Sequence, residues 1–378
     1  MKASVTLGIT GFSLIAVTYG MARFSWGLMM PEVILDIPFS PRVAGYISAC
    51  SFAAYCLAVV ASSLLEDRFS SRFMAITSAC CAAAGLAVVA VAWSSVMLAA
   101  GLFIAGLSPG LASPSLADAV NRVVTAKDQP QLNTLINSGT SAGIILSVPV
   151  LSFLPGGWRA ACFAFALCAL CCLPAVIRCL PRGQATARKN TPGWGKTLLQ
   201  RPMLSLILIA FFSGIASAAW WNFGPDVLRH HVAVEASTVN LLWLVSGGAG
   251  IIGAITGPLA ARIGLSQVYR LSQLAMAVPL VWLAFSHQMH WWLFAAVAFC
   301  GAGYVTLSGV LLVCGVSVAK SSPASGVAAV FFALAAGQVA GAVLFGLLSA
   351  GTGVVAALNV FAVISAALIL LPLPQQQS

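Results

Sequence analysis

The sequence predicts an all-α protein that crosses a membrane twelve times, built as two six-helix bundles related by a pseudo-two-fold axis. Three observations carry this: a composition too apolar for water, breaks that cut the apolar runs into twelve pieces, and an internal repeat that pairs pieces one to six with seven to twelve. Of 378 residues, 60% are apolar and 7% charged, with a mean hydropathy of +1.00; a soluble domain carries roughly 25% charged residues. These values exclude a soluble enzyme, a nucleic-acid-binding domain, a disordered chain and a fibrous protein. The expected solvent is the lipid bilayer, and nucleic acid is not an expected partner. The apolar runs are continuous, so they do not read as barrel strands, which alternate.

A spanning helix needs about 20 apolar residues. The first run, about 5–30, is closed by Pro31, Pro38 and Pro41. The second covers about 42–65, and the third, about 73–93, stops at Ser94-Ser95. The fourth lies at about 96–117; the fifth, about 132–154, ends in the Pro155-Gly156-Gly157 turn. The sixth, about 159–178, leads into a basic stretch at 179–202. The remaining six are about 203–223, 238–260, 268–286, 291–318, 324–349 and 352–371. The first is read as a span rather than a signal peptide, being too long and containing Arg23. The domain organisation is therefore 1–178, a basic linker at 179–202, and 203–378.

Cationic residues orient these helices, because Lys and Arg accumulate on the cytoplasmic side. With a cytoplasmic N-terminus, Lys2, Arg68, Arg72, Arg122, Lys127, Arg178, Arg182, Arg188, Lys189, Lys196, Arg201, Arg262, Arg270 and Lys320 fall inside. Only Arg42, Arg159 and Arg229 fall outside, and Arg23 lies within the first helix. One missed helix would scramble this asymmetry. Both termini are then cytoplasmic. Ten of the eleven cysteines sit inside apolar runs, which reads as soft packing rather than a disulfide framework.

The repeat appears on shifting the chain against itself. Trp26-x4-Pro31-Glu32-Val33 falls on Trp220-x4-Pro225-Asp226-Val227, a shift of 194. The same shift sets Ser63-x3-Asp67-Arg68-Phe69-Ser70 on Gly257-x3-Ala261-Arg262-Ile263-Gly264. A shift of 198 sets Gly139-x3-Gly143 on Gly337-x3-Gly341. Six helices is an even number, so the two copies share one orientation, and their axis lies along the membrane normal.

Twelve helices, a six-plus-six repeat and a basic central loop resemble the major facilitator superfamily. Its loop signature, Gly-x3-Asp-Arg/Lys-x-Gly-Arg/Lys-Arg/Lys, is similar to Ser63-x3-Asp67-Arg68-Phe69-Ser70-Ser71-Arg72, with both glycines replaced by serine. The second copy keeps Gly257, Arg262 and Gly264 and loses the aspartate. More narrowly, Gly20-Met21-Ala22-Arg23-Phe24-Ser25-Trp26 is similar to the first helix of a poorly characterised bacterial subgroup. The resemblance implies a multi-pass carrier of the bacterial inner membrane, not an enzyme, expected to act as a monomer on a small-molecule substrate. It also implies an inner gate made from Asp67, Arg68, Arg72, Arg262 and Gly257; the rival explanation is ordinary inside-loop charge.

The residues suggest where such a carrier binds. A guanidinium within a spanning helix costs about 2.5–3.5 kcal/mol, so Arg23 needs a reason to be there. Tyr19 at i−4 and Trp26 at i+3 share its helical face, and the three are expected to line a polar pocket for an anionic group. Outward snorkelling or a structural pairing is the rival explanation. Trp220, Asn222, Asn137 and Gln338 are further candidates for substrate contact, against belt, packing or helix-stapling roles. Glu32 and Asp226 are repeat-equivalent carboxylates after a proline, candidates for proton coupling or plain helix-end caps. Neither a cofactor nor a metal is expected: no P-loop or hydrolase spacing is present, and the cysteine cluster near 168–179 and the four histidines are weak ligand sets. The expected function is alternating-access, proton-coupled export of a small anionic or zwitterionic molecule. The alternatives are an uptake symporter or facilitator for a carboxylate, and a non-transporting scaffold or sensor.

Overall fold

The computed structural model describes residues 2–65, 68–125, 127–182, 200–251, 256–319 and 323–374. Contacts divide the chain into two compact units, 1–39 with 50–188 and 40–49 with 189–378. The break between 188 and 189 lies within the basic stretch.

In the first unit, the opening span is composite. Helix α1 (Lys2–Ile15) runs into a π-helical segment (Ala16–Phe24) and then α2 (Ser25–Asp36). It is followed by α3 (Pro41–Leu65), of which residues 41–49 group with the second unit, then α4 (Ser71–Ala90), α5 (Ser95–Val123), α6 (Gln129–Phe153) and α7 (Gly157–Cys179). Ser70 and Ser94 cap α4 and α5 by accepting from Phe73 N (3.2 Å) and Met97 N (3.3 Å), satisfying donors a helix start leaves open. Gly156 and Gly157 turn the chain with φ of 103° and 63°, a region glycine enters without steric cost.

The second unit contains α8 (Arg201–Asp226), which ends in a second π-helical segment (Val227–His231). Next come α9 (Ala236–Ala249), α10 (Thr256–Ile263), α11 (Leu265–Phe285), α12 (Leu293–Val318), α13 (Pro323–Thr352) and α14 (Val354–Ile369). Among the described residues, 10 helices are long and apolar enough to span a membrane, and Val354–Ile369 is a shorter apolar one. Helices α9 and α10 flank residues 252–255 and occupy the span expected at about 238–260.

The first span differs from the sequence expectation in two ways. The first helix does not stop at Pro31 but continues to Asp36. Proline removes one backbone donor, and neighbouring helices in a membrane protein tolerate that loss. The π-helical segment around Arg23 carries no pattern of apolar spacing that distinguishes it from an α-helix.

Helices in lipid gain nothing from being apolar and associate by close packing, so small residues mark their contacts. In the first unit, a Cβ on Gly139 would strike Phe12 O, and one on Gly143 would strike Ala16 O. In the second, a Cβ on Gly337 would strike Phe211 O, and one on Gly341 would stand 2.6 Å from Ile215 O. The pairs are repeat-equivalent. Each unit therefore brings its first and fifth spans together through the same Gly-x3-Gly step.

The two ends of the first unit are sewn by different polar groups. At the end where α4 begins, Ser71 donates to Asp118, whose carboxylate also lies 3.0 Å from Arg122 Nε. There Arg72 Nε donates to Leu180 O at 2.8 Å, capping α7. A cation at a helix C-terminus meets the negative end of the helix dipole. At the opposite end Arg159 donates to Ala90 O and Ala92 O at 3.0 and 2.7 Å, and Trp158 Nε1 donates to Asp36 at 2.9 Å.

Candidate functional site

Arg23 is 6% exposed. Its Cζ lies 4.3 Å from the Phe52 ring centroid and 4.5 Å from that of Tyr55, both on α3. Phe24 and Tyr19 stand at 5.4 and 5.8 Å. The guanidinium therefore sits in a box of four aromatic rings. A desolvated cation–π contact contributes about 2 kcal/mol. Two such contacts are comparable with the about 2.5–3.5 kcal/mol that burying the charge costs.

The sequence paired Arg23 with Tyr19 and Trp26. The structure keeps Tyr19 and adds Phe24, Phe52 and Tyr55, while Trp26 is buried at 2% exposure. The wider turn of the π-helical segment changes which neighbours share a face, so α-helical spacing misjudged the surroundings. Phe52 and Tyr55 carried a readable signal, an aromatic pair at i,i+3 in the second helix. Tyr19 is fixed by a 2.8 Å hydrogen bond between its hydroxyl and that of Ser113 on α5, and its ring meets Tyr55 edge-on at 6.1 Å.

The second unit holds a separate cluster. Trp220 Nε1 donates to Ser246 Oγ at 2.9 Å. Trp221 packs edge-on against Trp243 (5.5 Å) and Tyr304 (5.3 Å). The amide of Gln338, buried on α13, donates to Ser217 Oγ at 3.3 Å and Tyr304 Oη at 3.2 Å. It thus ties α13 to α8 and α12. Asn222 is buried but turns back to its own helix, donating to Ala218 O at 3.0 Å. Asn137 is exposed on α6. Sequence reasoning passed over Ser217, Trp243, Ser246 and Tyr304, since nothing in their spacing along the chain announces that they meet.

The remaining candidates are dispersed. Asp67 lies outside the described residues. Arg68 and Arg262 are exposed. Arg72 is engaged with Leu180 O. Gly257 has no atom within 4 Å of where a Cβ would stand. Glu32 is exposed, and Asp226 accepts from His230 Nδ1 at 2.8 Å. His231 and His287 are in ring contact at 5.5 Å; among the described residues no three His, Cys, Asp or Glu side chains are grouped to hold a metal ion.

The sequence profile described as Major Facilitator Superfamily matches residues 12–256, well over half of the chain. The chain belongs to the major facilitator superfamily. Solved structures of similar fold come from transporters of different cargoes. A nucleoside transporter, NupG, superposes with a TM-score of 0.74 at 14% identity, covering 98% of both chains. A D-xylose–proton symporter superposes with a TM-score of 0.77 at 14% identity, covering 97% of this chain and 96% of that one. A bacterial homologue of the human lysosomal transporter Spinster, in an inward-facing and unoccupied conformation, gives 0.75 at 17% identity, covering 97% and 96%. At these identities the likeness is one of fold. This superfamily member is a multi-pass, all-helical membrane protein with the twelve-helix architecture of secondary transporters.

Proposed function

We propose that the protein is a secondary active transporter that moves a small anionic or zwitterionic organic molecule across the bacterial inner membrane by alternating access, in the direction of export and coupled to protons. The observation that supports the substrate class is Arg23: a buried guanidinium in the first span, set among four aromatic rings. Ring faces attract a cation, and a charged guanidinium in the first span draws an anionic group. Fork-shaped guanidinium donors suit a carboxylate. Glu32 and Asp226 are the proposed proton-exchanging groups, and Asp67, Arg68, Arg72, Arg262 and Gly257 the proposed inner gate. Both termini are placed in the cytoplasm by the Lys and Arg distribution, and a monomer suffices because each chain contains both repeats.

A thermal-shift screen of the purified full chain against metabolites and drugs, at two pH values, identifies the substrate. Flux of the best hit is then followed in proteoliposomes and in inverted vesicles, together with internal pH. Export with proton coupling predicts uptake into inverted vesicles that collapses with the pH gradient. Flux that ignores that gradient, or that persists undiminished in Arg23→Ala, overturns the reading.

A further inference from the structure

We propose that the second unit contains a site for a small ammonium group, walled by Trp220, Trp221 and Tyr304. These side chains, with Ser217, Met276 and Cys300, line a partly open space among α8, α11 and α12 that leaves about 10 Å³ for the centre of a water-sized group. That is the room one water needs, and a primary ammonium is of the same size. The walls decide what suits it. The Trp221 and Tyr304 rings pack edge to face, 5.3 Å apart at 61°, so they form no parallel slot that a flat ring would enter. None of the lining residues is charged, so nothing there repels a cation, and aromatic faces attract one.

The hydroxyl chemistry points the same way. Ser217 Oγ donates its proton to Gly214 O at 2.9 Å and accepts from Gln338 Nε2 at 3.3 Å. With its proton committed, Ser217 offers the space an acceptor only. An ammonium N–H is complementary to that acceptor and to the ring faces together; a carboxylate is complementary to neither. The inference rests on the transporter reading in one respect: it selects the zwitterion from the two substrate classes proposed above.

The test uses purified full-length protein in detergent, with methylammonium chloride as the probe. Sodium chloride of equal ionic strength and methanol are the controls. Methylammonium is expected to give a saturable change in tryptophan fluorescence and a rise in Tm. Methanol is expected to give neither. Trp221→Leu and Ser217→Val should weaken the response at least about tenfold. Because Trp221→Leu can unfold the cluster, protein carrying fluorinated tryptophan, which keeps the shape and depletes the ring face, should bind progressively more weakly with each fluorine. An equal response to methanol, no saturable response, or indifference to ring fluorination overturns the proposal and leaves a single structural water as the occupant. If instead Arg23-dependent flux of a purely anionic substrate is found while methylammonium fails to bind, the ammonium site alone is wrong and the transporter reading stands. If methylammonium binds and no flux is found, the reverse holds.

Discussion

Gly20 and Gly143 approach so closely that a methyl group on either would strike the backbone of the other. The contact joins the π-helical segment that carries Arg23 to α6. It therefore sets the position of the buried cation as well as the packing of two spans.

Gly143→Ala is expected to destabilise the first unit by about 1–3 kcal/mol, the usual cost of forcing a side chain into a filled interior. Thermal unfolding in detergent measures it. Gly257→Ala is the matched control, since a Cβ there meets nothing within 4 Å, and its Tm should stay at the wild-type value.

Gly337→Ala should behave like Gly139→Ala. Both remove the small residue through which the fifth span of a unit meets the backbone of the first, at Phe211 O and Phe12 O respectively. Losses of similar size, about 1–3 kcal/mol each, are the expected result. A loss confined to one unit would show that the repeat is not shared in its energetics.

Arg23→Leu should fold and insert at least as well as the wild type, because it removes a charge whose burial costs about 2.5–3.5 kcal/mol. It should nevertheless abolish flux of the substrate found by screening. Arg23→Lys keeps the charge but lacks the planar fork, and flux at least about tenfold below wild type is expected from the difference between bidentate and point-charge recognition. Expression level, Tm and proteoliposome flux, measured together, separate the two effects.

Arg159→Ala removes the bonds to Ala90 O and Ala92 O. The expected loss is about 1–3 kcal/mol, the range for hydrogen bonds to a charged group and for carbonyls left unmet. Its ion pair with Asp36, at 3.8 Å and more than a third exposed on the Arg159 side, should contribute little. Asp36→Asn is accordingly expected to be milder than Arg159→Ala in the same unfolding assay.

Much of the candidate site was legible before the fold was known. Arg23 announces itself because charge inside an apolar run is expensive, and Gln338 because a buried amide in lipid needs partners. Asn222 donates to the carbonyl of Ala218, four residues back on its own helix, which no tertiary neighbour needed to supply. Asp118 joins Ser71 to Arg122. Its partners lie 47 and 4 residues away, and only the first of these requires the fold.

Composition and periodicity alone were enough to settle the solvent, the all-helical class, the twelve spans and the six-plus-six repeat. Each follows from local or summed properties: the cost of charge in hydrocarbon, the length that crosses it, and self-similarity along the chain. The folded structure decided which rings surround Arg23, that its turn is π-helical, and that Trp221, Tyr304 and Ser217 meet around one small space, with Gln338 bonded to the last two. Those outcomes depend on how closely helices approach, which glycine and alanine permit at many positions but the chain order does not rank. Contacts between distant residues are chosen by packing, and packing is a property of all the helices in a unit at once.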